Sequence, residues 1–594
     1  MKKLWKLLAV VAAIAGVGAY YYVTIPAVNI HSAGFWFFLI GALAAVTAAI
    51  AFYKIVKTKT EIIELGQSKL IKVMLGVIIG AVAVFLVGTL LSSEIINAKK
   101  YQQLMKVQDG DFATEIAPAD FTSVPLLDKE SARLLGNRKM GTMVDMVSQF
   151  EVSPLYTQIN YQGRPVRVSP LVYASPIKWI ANQASGIPAY IMIDMATQET
   201  ECVRLPEGQY IKYSTAEYFN RNIYRHLRFN YPTYIFDQLS FEIDDEGTPY
   251  WICPVKKFNV GLFGGQTIGK VVLCNAVTGE TTSYDIENVP TWIDHVYSAE
   301  LLIRLYDYHG VLKNGYLNSL LSQKGCLMTT DGYNYIVKDD DVWVYTGVTS
   351  VSGDESNVGF VLMNQRTMES RYYACPGAEE YSAMDSAQGQ VQHLGYVATF
   401  PLLLNVSGEP TYFMALKDSA GLVKMYAMVN IAKYQNVAIG ETVAECVKDY
   451  QNLLKQSGIS SVESAASDFT YQITSGSFIQ ITGYTGSDTA LVIPSVIDGY
   501  TVDSIAASVF KGNTTLTSVI LPDTLTVIHE SAFQNCTALA YVGFGSGLKT
   551  IYRSAFRGCT ALSEVSLSNG VTYLEHWVFA DCPALTSVSL PDTL

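Results

Sequence analysis

Charged residues are scarce in this chain. Only 16% of its 594 residues are Asp, Glu, Lys or Arg, whereas 49% are hydrophobic, and the net charge at pH 7 is −12. Beyond the first hundred or so residues, no extended cluster of lysine and arginine occurs. Surfaces that bind nucleic acid need such a cluster, so the sequence predicts no nucleic-acid partner. The length exceeds what one hydrophobic core organises, and it therefore predicts several domains.

The nine cysteines form no recognisable framework. No Cys-x-x-Cys occurs, no histidine stands at metal-ligand spacing, and the odd total argues against a fully paired set of disulfides. Six cysteines are isolated in the sequence: Cys202, Cys253, Cys274, Cys326, Cys375 and Cys446. The sequence therefore predicts neither a disulfide framework nor a metal site.

Signatures of catalysis are missing as well. The chain contains no G-x-S-x-G, no H-E-x-x-H and no Cys–His pairing. The segment GGQTIGK (264–270) has the spacing of a phosphate-binding loop, but Val271 follows where Ser or Thr would hold magnesium, so we expect a glycine-rich hairpin. Acidic clusters at 242–246 and 339–341 lack the spacing of a calcium loop and are expected to be solvated turns. We expect no enzyme, no catalytic residue and no cofactor.

Long apolar runs are present only at the N-terminus. Leu7–Val23, Phe35–Tyr53 and Val73–Leu91 are each uncharged and long enough to cross a bilayer as a helix. Lysines precede the first run and fill the loop between the second and third, while the loop at 24–34 has none. The positive-inside rule then places the N-terminus in the cytoplasm and everything after residue 91 outside. The first run also resembles a signal peptide, whose cleavage would leave two spans.

The middle of the chain is rich in strands. After a connector (92–149), three segments share an apolar strand, Asp or Asn, two residues, Thr, one residue, Glu and a second strand, at 189–203, 270–284 and 359–373. The side chain of Asp or Asn can cap such a turn, so these are predicted β-hairpins, with a fourth at 410–430. Helices are expected at Ala216–Leu227, Thr291–Leu305 and Glu441–Lys455. We interpret the region as a duplicated α+β ectodomain with halves at 150–329 and 330–456, followed by a linker (457–468).

The last part of the chain is repetitive, with a period of 23 residues. Each unit places a phenylalanine, a cysteine and a leucine at fixed phases: Phe510, Phe533, Phe556 and Phe579; Cys536, Cys559 and Cys582, with Asn513 in the equivalent place; and Leu516, Leu539, Leu562 and Leu585. A fixed period with apolar residues at fixed phases predicts a solenoid in which neighbouring units share one core. These residues are the predicted repeat core. Leu594 falls partway through a unit, so we expect the array to continue beyond it.

The repeat units resemble the BspA-like bacterial leucine-rich repeats through their A-F-x-x-C-x-x-L motif, over residues 469–594. That resemblance implies a curved, extracellular solenoid used for binding and implies no chemistry. The hairpins with Asp-x-x-Thr-Gly-Glu next to a helix resemble PepSY and related extracytoplasmic modules. The membrane runs together with the middle region resemble an uncharacterised multi-span family of Firmicutes, and no site is implied by either.

The expected fold class is therefore multidomain: N-terminal transmembrane helices (1–91), a duplicated α+β ectodomain with β-hairpins, and a C-terminal leucine-rich-repeat solenoid (469–594). The first hypothesis is a membrane-anchored bacterial surface protein that binds an extracellular protein or glycan, as in adhesion or host interaction. A second is an envelope sensor or assembly factor acting through the middle region. A third is an export-related protein similar to the colicin V production family. The oligomeric state is left open.

Overall fold

The structure is a computed structural model that describes residues 2–58, 68–119, 121, 124–125, 127–350, 356–406, 408–456, 464, 466–591 and 593–594. Most of the predicted linker and the loop at 59–67 lie outside the described residues. The helices are α1 (Lys2–Thr24), α2 (Ala33–Thr58), α3 (Lys69–Leu91), α4 (Glu94–Gln102), α5 (Phe112–Glu115), α6 (Lys129–Gly141), α7 (Pro176–Asn182), α8 (Ile223–Asn230), α9 (Ala299–Val311), α10 (Tyr316–Leu321), α11 (Glu380–Gln390) and α12 (Val443–Gln456).

Among the described residues, two helices are long and apolar enough to cross a bilayer. These are Ala33–Ile55 within α2 and the whole of α3, with mean hydropathies of 2.3 and 2.8. The first predicted run lies within α1, and its crossing of the membrane stays a prediction. The loop after α1 and the end of α3 both contact the strand-rich part of the chain, which we call the body (residues 94–456).

The strands of the body are β1 (Val107–Gly110), β2 (Phe150–Val152), β3 (Thr157–Tyr161), β4 (Arg164–Tyr173), β5 (Ala189–Asp194), β6 (Thr200–Arg204), β7 (Ser240–Ile243), β8 (Pro249–Val260), β9 (Gly264–Asn275), β10 (Thr281–Asp285), β11 (Leu327–Thr329), β12 (Asn334–Lys338), β13 (Asp341–Ser350), β14 (Ser356–Asn364), β15 (Ser370–Ala378), β16 (Val397–Ala398), β17 (Leu402–Val406), β18 (Glu409–Lys417), β19 (Val423–Asn430) and β20 (Val437–Gly440). They form four antiparallel meanders in chain order: β3–β6, β7–β10, β12–β15 and β17–β20, with β2, β11, β16 and the parallel β1 added at edges.

Successive meanders share apolar clusters of buried side chains. One apolar cluster joins the first and second meanders, another joins the second and third around α9, and a third joins the third and fourth around α11. The second half of the region was predicted to begin at residue 330, which falls between the second and third meanders. Each predicted half thus contains two meanders.

Four hairpins were predicted in the body, and all four are present. In the first three, the Asp or Asn side chain accepts hydrogen bonds from the two backbone N–H groups that close the turn. Asn275 Oδ1, for example, accepts from Val277 N and Thr278 N, both at 2.9 Å. Asp194 and Asn364 do the same at 2.8–3.0 Å. The fourth hairpin, β18–β19, joins the second and third strands of its meander instead of the third and fourth.

Two of the three predicted helices of the body begin later than expected. The helix predicted at Ala216–Leu227 begins at Ile223, because Phe219 has a left-handed backbone (φ +51°) and Asn222 is extended. The helix predicted at Thr291–Leu305 is α9, which begins only at Ala299, where Ser298 caps it by accepting from Leu301 N at 3.3 Å. The third, α12, agrees with the prediction within two residues at its start.

The C-terminal strands are β21 (Phe469–Ser475), β22 (Phe478–Tyr484), β23 (Ala490–Val492), β24 (Val496–Ile497), β25 (Tyr500–Ile505), β26 (Ser518–Ile520), β27 (Val527–Ile528), β28 (Tyr541–Gly543), β29 (Thr550–Ile551), β30 (Glu564–Ser566), β31 (Tyr573–Leu574) and β32 (Ser587–Ser589). After the antiparallel β21–β22 pair, the repeated strands stack in parallel with a register of 23 residues, so that Val519 faces Val542 and Ile528 faces Ile551. The C-terminal region is therefore a β-solenoid, as predicted.

Candidate binding surfaces

The interior of the solenoid is one continuous apolar stack. Phe533 is fully buried and lies between Phe510 and Phe556, with ring centroids 4.8 and 5.1 Å apart and nearly parallel planes. The backbone of each stacked phenylalanine also forms a hydrogen bond with the next turn. Phe510 N, for example, donates to Ala532 O at 2.8 Å. Leu516, Leu539 and Leu562 are also fully buried, while Phe579 and Leu585 in the last turn are half-buried.

The cysteines of the repeat serve this stack as small inward-facing groups. The Sγ atoms of Cys536, Cys559 and Cys582 approach the carbonyl oxygens of the phenylalanines 26 residues earlier, at 3.1–3.3 Å. All nine cysteines of the chain are free thiols. Asn513, in the equivalent place of the first unit, instead accepts from Leu516 N at 2.9 Å. A residue that can satisfy a backbone group while filling little space is what this position requires.

Left-handed residues recur at two fixed positions in successive turns, the first of which is mostly serine. Ser508, Ser531, Ser554 and Trp577 have φ between +56° and +62°. The backbone N–H of Ser531 donates to Arg553 O, and that of Ser554 donates to His576 O, so this conformation connects one turn to the next. Serine in the left-handed region is uncommon, and its recurrence every 23 residues marks a fixed corner of the solenoid.

One face of the solenoid lies against the body. Tyr541, which begins β28, donates from Oη to Ala444 O at 3.4 Å, and Ala444 N donates to Glu564 Oε1 at 3.3 Å. Tyr541 also packs against the apolar cluster that holds α12 on the fourth meander. Burial raises the pKa of Glu564. The strand face containing β28 and β30 is therefore occupied by the N-terminal end of α12.

The opposite strand row carries aromatic side chains that remain accessible. His529 stacks on Tyr552 with ring centroids 5.3 Å apart, and Tyr573 meets Tyr552 edge-on at 6.3 Å. Tyr552 and Tyr573 are 37% and 50% exposed. Partial burial lowers the pKa of His529. We call His529, Tyr552 and Tyr573 the aromatic ladder.

Charged residues flank the aromatic ladder on the same side. Arg553 pairs with Glu530 across one turn, and its backbone N donates to Glu575 Oε2 at 2.9 Å. Arg557 pairs with Asp581 at 2.8 Å, and its guanidinium lies 5.9 Å from the centre of the exposed Trp577 ring. Aromatic rings and arginine are the residue types most often enriched where proteins bind other molecules.

The solenoid matches a known family of bacterial repeats. Residues 489–594 match the family model of the BspA type leucine rich repeat region, in six copies. The C-terminal region is a BspA-type leucine-rich-repeat array. The match begins at β23, so the β21–β22 pair precedes it.

Solved structures similar to this chain include bacterial leucine-rich-repeat proteins. One from T. pallidum is 33% identical, with 22% of this chain and 72% of that chain covered and a TM-score of 0.20. One from Bacteroides capillosus is 28% identical, with 20% and 93% covered and a TM-score of 0.20. A Synechocystis apocarotenoid oxygenase variant is 9% identical over 51% of this chain and 52% of its own, with a TM-score of 0.13, a likeness that carries no argument about activity. No curated protein matches the chain.

The sequence named residues of the repeat but none of the array's surfaces. The named repeat residues pack against one another in one apolar cluster. The aromatic ladder was missed because the sequence pattern detects one residue type recurring at one position of the repeat. The ladder combines a histidine with two tyrosines that do not occupy the same position. The signal available was two tyrosines 21 residues apart, Tyr552 directly after β29 and Tyr573 on β31.

Two predictions about acidic turns need correction. Glu242 and Asp341 were expected in solvated turns, but Glu242 is fully buried and Asp341 nearly so. Asp341 accepts two hydrogen bonds from Arg366, at 2.6 and 2.7 Å. Glu242 accepts from Asp294 N and His295 N at 3.0 and 3.1 Å. Both acids therefore belong to the interior of the body. The GGQTIGK segment is the start of β9, as the hairpin interpretation predicted.

Proposed function

We propose that this protein is anchored in a bacterial cell membrane with the residues after about 91 outside the cell, and that its leucine-rich-repeat array binds an extracellular protein or glycan. The observation that carries the binding proposal is the aromatic ladder with its flanking arginines, because it is an accessible row on a rigid scaffold. Adhesion to a host or neighbouring cell is the role we propose for such binding.

Contacts at the membrane end support the orientation. Arg228 Nε donates to Ile25 O at 3.0 Å, and Val28 N donates to Pro232 O at 2.8 Å. These bonds hold the lysine-free loop between α1 and α2 against the body. The lysine-rich ends of α2 and α3 lie at the other end of the helices, which the positive-inside rule places in the cytoplasm.

A hairpin tip connects the body to the end of α3. Ser92 Oγ accepts from Leu262 N and Phe263 N at 2.7 and 3.0 Å. The Phe263 ring lies 5.1 Å from Phe85, which is six residues before the end of α3 and therefore about 9 Å below it. This contact supports the proposal that the body lies directly against the outer face of the cell membrane.

Exposed apolar residues are concentrated beside these contacts. Eleven of the large hydrophobic residues exposed on the body lie on α4, α7, α8, α10 or the turn before α8: Ile95, Ile96, Ile177, Ile180, Tyr218, Phe219, Tyr224, Phe229, Leu317, Leu320 and Leu321. α8 is bonded to the α1–α2 loop, and α10 packs near α4 directly after the third apolar run. A lipid interface accommodates such side chains.

The orientation is testable by labelling in intact cells with a membrane-impermeant maleimide. In a full chain whose nine native cysteines are replaced by serine, we expect Leu394→Cys, on the body, to be labelled, and Glu61→Cys, between the second and third runs, to be labelled only after permeabilisation. The reverse pattern would contradict the proposed orientation.

The binding proposal is testable with cells that display the full chain. Replacing Tyr552 and Tyr573 by Ser should reduce attachment to host cells or matrix by at least tenfold, since both rings are lost from the ladder. The matched control is Tyr434→Ser, a similarly exposed tyrosine on the body. Attachment that is unchanged by the double substitution, or equally reduced by the control, would contradict the proposal.

A second candidate, an envelope sensor or assembly factor acting through the body, is favoured by the buried ionisable groups in its interior. Deleting residues 489–594 distinguishes the two candidates. A phenotype that persists without the array would assign the function to the body.

A further inference from the structure

The interior of the body contains a cavity of about 350 Å³. Strands β3 and β4 of the first meander contribute Gln158 and Arg167 to its wall, and the segment around β12 contributes Tyr333 and Tyr335. Lys129, Gln238 and Glu300 also line it and are exposed, so the cavity is reached from solvent on their side. Its volume is at the low end of the range for small-molecule sites, about 300–1,000 Å³.

Arg167 is a buried cation that forms no direct ion pair among the described residues. Its side chain is turned inward from β4, and the residue is only 5% exposed. Nη2 donates to Gln158 Oε1 at 3.3 Å, but Nε has no hydrogen-bond partner, and among the described residues no carboxylate forms an ion pair with it. Burial lowers the pKa of this guanidinium. Burying an unpaired charge is costly, so a site of this kind favours an anion.

Another arginine in the body shows how a guanidinium is neutralised when its partner is in the chain. Arg366 is less buried than Arg167, yet it forms two hydrogen bonds with Asp341, at 2.6 and 2.7 Å. In the part of the chain that the structure describes, no carboxylate forms such bonds with Arg167. The difference between the two arginines is therefore the missing carboxylate, not the depth of burial.

A second donor beside Arg167 is also unpaired. Gln158 Nε2 is buried and has no hydrogen-bond partner. The acids on the wall are already engaged: Asp128 pairs with Lys417 at 2.5 Å, and Glu300 accepts from Tyr333 Oη at 3.0 Å. His295 Nδ1 lies 3.4 Å from Glu242 Oε1. The wall thus has an excess of donors around Arg167.

We propose that this cavity is a binding site for a small molecule bearing an oxyanion group, a carboxylate or a phosphate, held by the guanidinium of Arg167 and the amide Nε2 of Gln158. The planar fork of arginine matches two oxygens of either group. This site lies in the body, apart from the leucine-rich-repeat array, and goes beyond the proposed function. It would give the body a ligand of its own.

The test uses the full chain reconstituted in lipid nanodiscs, with thermal unfolding of the body followed at constant ionic strength. The probes are inorganic phosphate, acetate and succinate at 10 mM, each against sodium chloride. Ligand binding to the folded state alone raises the unfolding temperature, and we expect a rise of roughly 3–6 °C for at least one probe. A response to phosphate alone, or to the carboxylates alone, identifies the oxyanion class.

The decisive variant is Arg167→Met, and its matched control is Arg164→Met on the same strand. Arg164 is mostly exposed and pairs with Asp194 at 3.6 Å. We expect R167M to abolish the rise and R164M to retain it. Without a probe, R167M should unfold at the same or a higher temperature than the parent, since an unpaired buried charge has been removed.

Two results would overturn the proposal: no probe shifts the unfolding of the parent, which would mean that the cavity holds water only, or R167M responds as the parent does. If R167M does not fold, Arg167→Lys replaces it, because lysine keeps the charge but loses the fork, and a tenfold weaker response is then expected. Attachment through the aromatic ladder is measured separately, so failure of one proposal leaves the other intact.

Discussion

The leucine-rich-repeat array and the body are both built from repeated units, yet they differ in what those units share. In the array, each turn places the same residue at the same phase, so that Phe533 packs on Phe510 and Phe556. In the body, four meanders have similar turns but enclose ionisable groups contributed by distant segments, such as Arg167 and Asp294. The comparison shows that packing between adjacent repeat units can be predicted from a repeat period in the sequence. The burial of ionisable groups contributed by distant segments cannot be predicted in this way.

The largest effect is expected from breaking the apolar stack of the array. Phe533→Ala removes a fully buried ring between two others and should cost about 3–5 kcal/mol. Because each turn of a solenoid contacts only its neighbours, we expect the array to lose protection while the body keeps it. Hydrogen exchange of 489–594 and of the body, measured in the same sample, checks this.

The matched control for that substitution is Phe478→Ala on β22, where the ring is 45% exposed. A smaller loss, of about 1–2 kcal/mol, is expected there. Equal losses at the two positions, or loss of protection in the body, would contradict the view that the two regions are separate units.

The next effect concerns the contact between the two regions. Tyr541→Ala removes the Oη bond to Ala444 and the ring that packs on the α12 cluster. We expect the array to detach from α12 while both regions stay folded, because the substituted side chain faces away from the solenoid core. Distances between spin labels on the array and on the body should broaden markedly. A distribution as narrow as that of the parent would show that Tyr541 does not hold the contact.

A smaller effect tests the polar interior of the body. Burial and the neighbouring Glu242 raise the pKa of Asp294. A carboxyl whose pKa is raised on folding stabilises the folded state at low pH, and that contribution is lost as the pH rises from about 4 through the raised pKa. Asp294→Asn should therefore unfold a few degrees higher than the parent at pH 8 and show less dependence on pH.

The control for Asp294→Asn is Asp285→Asn. Asp285 is an exposed acid at the end of β10 and pairs with Lys270 on β9. It should leave the pH dependence of unfolding as it is in the parent. Thermal unfolding between pH 5 and pH 8 measures both variants, and a parent whose stability rises over that range through Asp294 would contradict the prediction.

The smallest effect is expected on the surface of the array. Arg553→Ala removes an exposed ion pair with Glu530 and should change the stability by less than about 1 kcal/mol. If the flanking arginines contribute to binding, the same substitution should still weaken attachment. A variant that is as stable and attaches as well as the parent would restrict the binding surface to the aromatic ladder.

Much of the fold could be predicted from the sequence wherever the determining interactions are local or periodic. The hairpin at Asn275 was predicted because its own side chain closes the turn, and α12 was predicted because its apolar face repeats with helical spacing. The late start of α9 was missed although Ser298 carried a capping signal. At residues 216–222 the left-handed Phe219 has no signal in its residue type, since phenylalanine seldom adopts that conformation.

The candidate sites could be predicted less well, and for a different reason. Gln158 and Arg167 are neighbours on a hairpin, but their burial depends on β12 and α9, more than 130 residues later in the chain. The position of Glu242 beside Asp294 depends in the same way on how the second meander meets the segment before α9. Such sites are set by tertiary packing, which a linear pattern of residue types does not record.

The contact of Ala444 with Tyr541 and Glu564 also determines how the protein would respond to force. A bound partner that pulls on the array would load the start of α12 first, and then the fourth meander on which α12 packs. The array would therefore transmit force to the body for as long as this contact holds. The strength of the contact would set the tension at which that transmission ends.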